Sequence, residues 1–340
     1  MRWVLSRSSS GLKSIVSTRS LVLFCLAWAI VALIFFLLFS VPPPGAEHPD
    51  WFFYGITILE TGAFVIATLL CFRNWGSSQI VSGRNVWLFL GLGMLCFTLG
   101  NILFFLWGTV WNLDPAVSLG DFFYILSYVF LVLGMLRAVL PRRLNLETPQ
   151  WLIIAGIGFV GVALAIFLNY FAVAEVSSLP RPSLMQAAHA QESPPIDPAE
   201  ATPPAELEIT DPEAVPPAAA VETTAPGWVV ALDNYLSQYE EAAGWLYVIG
   251  DCILVVIAAT MLVAFWGGRF SQSWKLIAIA AFCLYIADMF FAYRINAASY
   301  EEGELWEVFW TFSAIFFAIG ATVEHAISTQ SRRSSRRRRS

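Results

Sequence analysis

The sequence predicts an all-α polytopic membrane protein of eight transmembrane helices, built as two parallel four-helix repeats with both termini cytoplasmic. Three observations lead there. The 340 residues are 58% hydrophobic and only 13% charged, a balance foreign to soluble domains and usual in helical membrane proteins. Eight apolar segments are each long enough to cross about 30 Å of hydrocarbon. The loops between them alternate in charge, basic on one side and acidic on the other.

The spans are expected near 20–42, 51–72, 86–108, 118–140, 150–173, 244–267, 274–294 and 303–325. The first could be a signal peptide. Its apolar core, Leu21 to Phe39, is too long for one and no A-x-A cleavage site follows, so it reads as a retained anchor. Orientation follows from the basic residues. Residues 1–19 form a basic cytoplasmic N-terminus carrying Arg2, Arg7, Lys13 and Arg19. Arg73 and Arg84, then Arg142 and Arg143 in the linker 141–149, then Arg269 and Lys275 mark the later cytoplasmic loops. Six arginines follow Gln330 in the tail 326–340. Glu47, Asp50 and Asp114 lie on the other side.

The first repeat is expected over 20–140 and the second over 150–325, the latter interrupted by an outside loop over 174–243. That loop holds twelve acids, one base (Arg181) and eleven of the eighteen prolines, a composition that cannot bury a core. Its last part differs. Trp228, Val229, Leu232, Tyr235, Leu236 and Tyr239 recur at helical spacing opposite Asp233 and Glu240, which predicts a surface helix over 228–241. A simple lead-in turn to the sixth span is the alternative.

The repeat rests on matched spacings. Trp87 precedes Asn101 by fourteen residues, as Trp274 precedes Asp288. Asp121-Phe-Phe-Tyr124 opens one span and Glu307-Val-Phe-Trp310 its counterpart, twenty residues after Asn101 and nineteen after Asp288. Glu60 in the second span corresponds to Asp251 in the sixth. An even number of spans per unit makes the repeat parallel.

Function points to the same residues. Glu60, Asn101, Asp121, Asp251, Asp288 and Glu307 are polar or acidic residues inside apolar spans, all within about 5–15 Å of the outer boundary at 1.5 Å of helix rise per residue. Such residues face a cavity, a partner or a ligand by default. Arg294 is placed to reach back towards Asp288 as a counter-charge. Tyr124, Tyr128, Trp245, Tyr247, Tyr285, Trp306 and Trp310 share that depth. A cleft of acids and aromatics suits a small cation, an amine or a lipid headgroup. The structural alternative is that Asp121, after Ser118, and Glu307 serve helix N-termini and that the aromatics are membrane-belt residues.

Several classes are excluded. No nucleotide loop, nucleic-acid motif, haem motif, metal-ligand cluster or other cofactor signature is present, and the five cysteines, all in apolar spans, form no CxxC and read as packing residues.

The segment from Trp87 to Met135, with LGLGMLCFTLGNILFF and PAVSLGDFFYILSYVFLVLGML, resembles the multi-helix membrane sensor region found before GGDEF and EAL domains in bacteria. GWLYVIGDCILVV, AFCLYIADMFFAYRI and SYEEGELWEVFWTFSAIFFAIGA are similar to its later motifs, Y-x-x-G-D, A-D-x-x-F-A-Y and Y-x-x-G-x-x-x-D-x-x-W. Glu307 stands where the family has Asp, and no output domain follows in this chain. The resemblance implies a sensor-like fold in a bacterial inner or internal membrane, without cyclase or phosphodiesterase activity. It implies a non-enzymatic sensory or binding protein that acts through protein partners among membrane lipids. Three other readings stay open: a structural subunit of a larger membrane complex, a cation- or proton-coupled transporter, and an intramembrane hydrolase, since LGDFFYIL and YIADMFFAY also resemble the paired aspartates of lysoplasmalogenase-like enzymes. No nucleophile or metal set accompanies those aspartates.

Overall fold

A computed structural model describes residues 17–43, 48–113, 117–140, 147–178, 224–265, 271–297, 300 and 302–337. The described residues form helices without a single strand, and eight helices are long and apolar enough to cross a membrane. They are α1 (Thr18–Phe39), α2 (Asp50–Gly76), α3 (Arg84–Phe105), α4 (Leu119–Val139), α5 (Thr148–Ser178), α7 (Glu240–Ala264), α8 (Ser271–Asn296) and α9 (Val308–Arg337), with a short α6 (Gly227–Leu236) ahead of α7. The expected acidic disorder lies outside the described residues from 179 to 223, as do residues 1–16, most of the linker, and 338–340.

Local chemistry sets several ends. Ser17 caps α1 through the Ser20 N–H, and Ser118 and Asp121 form a reciprocal capping box at the start of α4. At its C-terminal end α3 loosens into a π turn, Leu106–Val110, a geometry that recurs beside functional sites. α9 runs to Arg337, so the helix continues well into the segment expected to be a tail.

Six helices make a closed ring. α2, α3, α4, α7, α8 and α9 pack in that cyclic order, and α9 closes on α2. α1 packs outside on α9, while α5 packs outside on α7 and α8. The middle of the ring is filled by one apolar cluster containing Trp87, Met94, Leu131, Met135, Leu254, Trp274 and Phe317. Trp87 and Trp274 are almost fully buried, with ring centroids 5.7 Å apart. Burial at roughly 25 cal/mol per Å² makes this cluster the main internal contribution to packing. On the side of the cluster towards the α9 C-terminus, Ser273 and Ser328 donate to the buried Glu324 at 2.8 and 3.3 Å, and the Asn74 amide donates to the Ala321 carbonyl at 2.8 Å.

A helix, α6, stands within the segment expected to form a surface helix and is joined to α7 by a single 3-10 turn, Ser237–Tyr239. Trp228, Tyr235 and Tyr239 are exposed. It is also tied to the protein. The fully buried Trp107 in the π turn donates through its indole N–H to Asp233 at 3.0 Å, and Trp111 packs edge-on against Trp228.

Candidate functional site

At the other end of the apolar cluster the ring encloses a cavity of about 230 Å³. Glu60, Asn101, Asp121, Asp251, Asp288 and Glu307 all line it, together with Tyr124, Tyr247 and Trp310. Each of the six ring helices supplies at least one of these residues. Spacing along a sequence cannot show this convergence, because it depends on how each helix is rotated about its axis.

The side chains are held in four polar groups. Tyr124 on α4 donates to the Asn101 carbonyl oxygen at 2.8 Å, and the Asn101 amide donates to Glu60 Oε1 at 2.8 Å. Deeper in, Tyr128 places its hydroxyl 2.9 Å from Asp251 Oδ1 and 2.8 Å from Asp288 Oδ2, while the Trp310 indole donates to Asp288 Oδ1 at 2.7 Å. A tyrosine hydroxyl has one proton to give. Both short contacts are hydrogen bonds only if one carboxyl group donates in return, so the pair shares a proton through Tyr128. Two glycines make room for these rings. A Cβ on Gly100 would fall 2.6 Å from the Tyr124 ring, and one on Gly250 would fall 2.6 Å from the Tyr128 ring.

Nearer the mouth, Tyr247 on α7 donates to Asp121 Oδ1 at 2.7 Å, while Asp121 Oδ2 accepts from the Ser118 N–H at 2.7 Å. Asp121 is thus a capping residue with one oxygen and a cavity residue with the other, and the two expectations for it coexist. Glu307 accepts from the Gly303 N–H at 3.0 Å. Gly303 has φ +98°, and a side chain there would also run into Phe52 and Ile56. Only glycine aims that N–H at Glu307 without strain.

Two lining residues, Tyr300 and Glu302, were not among the sequence expectations for the site. They lie in the connection before α9, where a Glu-Glu pair in a short outside loop reads as solvent-facing. Burial pushes the Glu302 carboxyl up to about 6. Burial, with the charges of Glu307 and Glu302, also holds the Tyr300 phenol well above its ordinary value. Tyr128 shared the right depth in the sequence, but nothing there distinguished it as the bridge between two acids.

Other expectations are not met. Arg294 does not line the cavity; it forms an ion pair with Glu304, which also accepts from the Trp306 indole. The fold explains the difference: the connection before α9 folds back over the end of α8 and brings Glu304 to the guanidinium. Tyr285 faces the opposite way and donates to the Gly161 carbonyl on α5 at 2.6 Å, and Trp245 is exposed on the outside of the ring.

Six carboxyl groups therefore share one cavity, and none of the described residues that line it is Lys, Arg or His. Their mutual repulsion must be relieved by protons or by a cation. No three of the described His, Cys, Asp or Glu side chains are grouped to hold a metal ion. Phe97, Phe104, Phe291 and Trp310 supply aromatic walls. The arrangement can hold a positively charged group by charge, hydrogen bonding and cation–π attraction. No family model matches the chain, and neither a curated protein nor a solved structure does.

Proposed function

We propose that this chain is a non-enzymatic membrane receptor-like protein that takes a cationic ligand into the ring cavity and passes its occupancy to a partner. One observation carries the reading: residues from six helices bring six carboxyl groups and an aromatic wall to one cavity with no basic residue in its lining. Carboxylates in a membrane are costly unless compensated, and a cavity rich in carboxyl groups and aromatic faces is complementary to a cation. The packed cluster around Trp87 and Trp274 fills the ring below the cavity, which favours capture at one side over passage through.

The two-repeat architecture belongs to the same proposal. The ring order maps onto itself when α2, α3 and α4 exchange with α7, α8 and α9. Trp87 and Trp274, which match in spacing, meet with ring centroids 5.7 Å apart and planes tilted by 31°. The outer helices α1 and α5 do not follow the exchange, since α5 leans on α7 and α8. The basic loops support cytoplasmic termini, with the cavity opening to the periplasm or lumen. The resemblance to bacterial sensor regions supports the signalling half of the proposal.

The test is purification from the native membrane in mild detergent, with mass spectrometry of whatever co-purifies. A bound organic cation that is lost in Asp288→Asn supports the proposal. Stoichiometric protein partners with an empty cavity would replace it with a subunit of a larger assembly.

A further inference from the structure

Resting on the cation-binding reading of this cavity, we infer that its ligand is a linear organic cation with two or more amino groups, held at both ends. The carboxyl groups do not converge on a point. The floor pair, Asp251 and Asp288, is drawn together by Tyr128 and capped by Trp310. A second group, Glu302 and Glu307, comes from the connection before α9. Glu60 is within electrostatic reach of both Glu302 and Asp288. Glu307 precedes Trp310, beside Asp288, by three residues through the end of the 3-10 turn and the start of α9, a rise of about 5 Å, and Glu302 lies further back in the chain.

This spread argues against a bare metal ion. A divalent cation draws several oxygens to about 2.0–2.6 Å from one centre, and no such grouping exists among the described residues. A single ammonium would satisfy one group and leave the other uncompensated. A molecule with an amine at each end and methylenes between would answer both. Its apolar middle would lie along Phe97, Phe291 and Trp310, whose faces also attract ammonium groups. The size agrees: 230 Å³ falls just under the range of about 300–1,000 Å³ typical of drug-sized ligands, which suits a short, unbranched amine over a lipid headgroup with its glycerol.

The experiment uses the full chain in lipid nanodiscs and titrates 1,4-diaminobutane, 1-aminobutane, calcium chloride and potassium chloride by calorimetry at pH 7.5. The expected result is binding of the diamine at least tenfold tighter than that of the monoamine, with no saturable heat from either salt. Asp288→Asn and Glu302→Gln should each cut diamine affinity at least tenfold and leave the weak monoamine binding within a few-fold at the end not mutated. Glu302 lies outside the membrane-spanning segments, so its variant reports even if Asp288→Asn fails to fold. Tyr235→Phe, at an exposed position of α6 that does not line the cavity, should leave diamine affinity unchanged. Equal affinity for monoamine and diamine, lost in Asp288→Asn, would overturn the two-ended ligand while keeping the cation site. Saturable calcium binding would overturn it in favour of a metal. Absence of binding by every cation would overturn both the inference and the proposed function.

Discussion

Replacing Tyr128 with Phe removes one oxygen and leaves the ring in place against Gly250 and Tyr247. The hydroxyl is the only group that hydrogen-bonds to both Asp251 and Asp288, at 2.9 and 2.8 Å. Asp288 keeps its bond from Trp310; Asp251 loses the contact that joins it to α4. Hydrogen bonds to charged groups contribute about 1.5–3 kcal/mol, and a buried acceptor stripped of its donor costs a similar amount. Tyr128→Phe should therefore destabilise the ring by about 2–3 kcal/mol. By the usual scaling of unfolding entropy with chain length, the unfolding midpoint should fall roughly 3–4 °C. The measurement is thermal unfolding in nanodiscs followed by tryptophan fluorescence. Tyr235→Phe serves as the control, because Tyr235 is exposed and bonds only to the exposed Tyr239; such a change should stay within about 0.5 kcal/mol. If Tyr128→Phe unfolds at the same temperature as Tyr235→Phe, the hydroxyl bridge does not hold the acid pair and the proton-sharing argument fails.

Further changes probe other parts of the structure. Gly303→Ala forces a side chain into a positive-φ conformation and against Phe52, so it should cost about 2–4 kcal/mol from backbone strain and overpacking together, read by the same unfolding assay; a loss under 1 kcal/mol would contradict the close approach. The Glu302 carboxyl is raised from 4.5 to about 6 in the folded chain, so the folded state binds more protons than the unfolded one between those values. Stability from this group is present at low pH and is lost as pH rises through about 6, by at most about 2 kcal/mol. Glu302→Gln should flatten that slope. Affinity for a cationic ligand should run the opposite way, rising with pH through about 6 as Glu302 ionises, and lose that rise in the same variant. Trp274→Ala empties the centre of the ring and should cost about 3–5 kcal/mol; denaturant titration showing less than 1 kcal/mol would mean that the indole does not support the core.

The eight spans were legible because a membrane helix must be a run of about twenty apolar residues, and nothing else in a sequence looks like that. Depth was legible as well, since helix rise converts residue number into distance, and this is why Glu60, Asp251 and Asp288 could be picked out at a common level. Rotation was not legible. A helix buried on several sides, such as α3 with Trp87, Gly93, Cys96 and Asn101 all inside, has no polar stripe to show which face points inwards. Arg294 was misplaced for a related reason. Its spacing from Asp288 allowed contact along one helix, but the partner it takes, Glu304, arrives from a turn whose path depends on Gly303 and the 3-10 turn Leu305–Glu307. Glu302 escaped notice because a charged pair in a loop looks solvated until the fold covers it.

In the proposed function, α9 would link ligand capture to signalling. Its first turn carries Trp310 into the cavity, the 3-10 turn before it carries Glu307, and the same helix carries the buried Glu324 and Ser328 on the far side of the apolar cluster. Ser328 also accepts the Val81 N–H from the connection between α2 and α3, and Glu324 accepts from Ser273 on α8. A ligand can shift a conformational equilibrium only by its difference in affinity for the two states. Here that difference would arise at Trp310 and Glu307, where an ammonium competes with the existing hydrogen bonds of Asp288 and Glu307. Any rotation or sliding of α9 that improves those contacts must also move Glu324 and Ser328 relative to α8 and the α2–α3 connection, because a continuous helix is stiff and the cluster between is packed. Two hydrogen-bond arrangements at Glu324, one for each state of the cavity, would supply the discrete alternatives that a switch needs. The C-terminal end of α9, which continues unbroken to Arg337, is then where a partner would read the outcome.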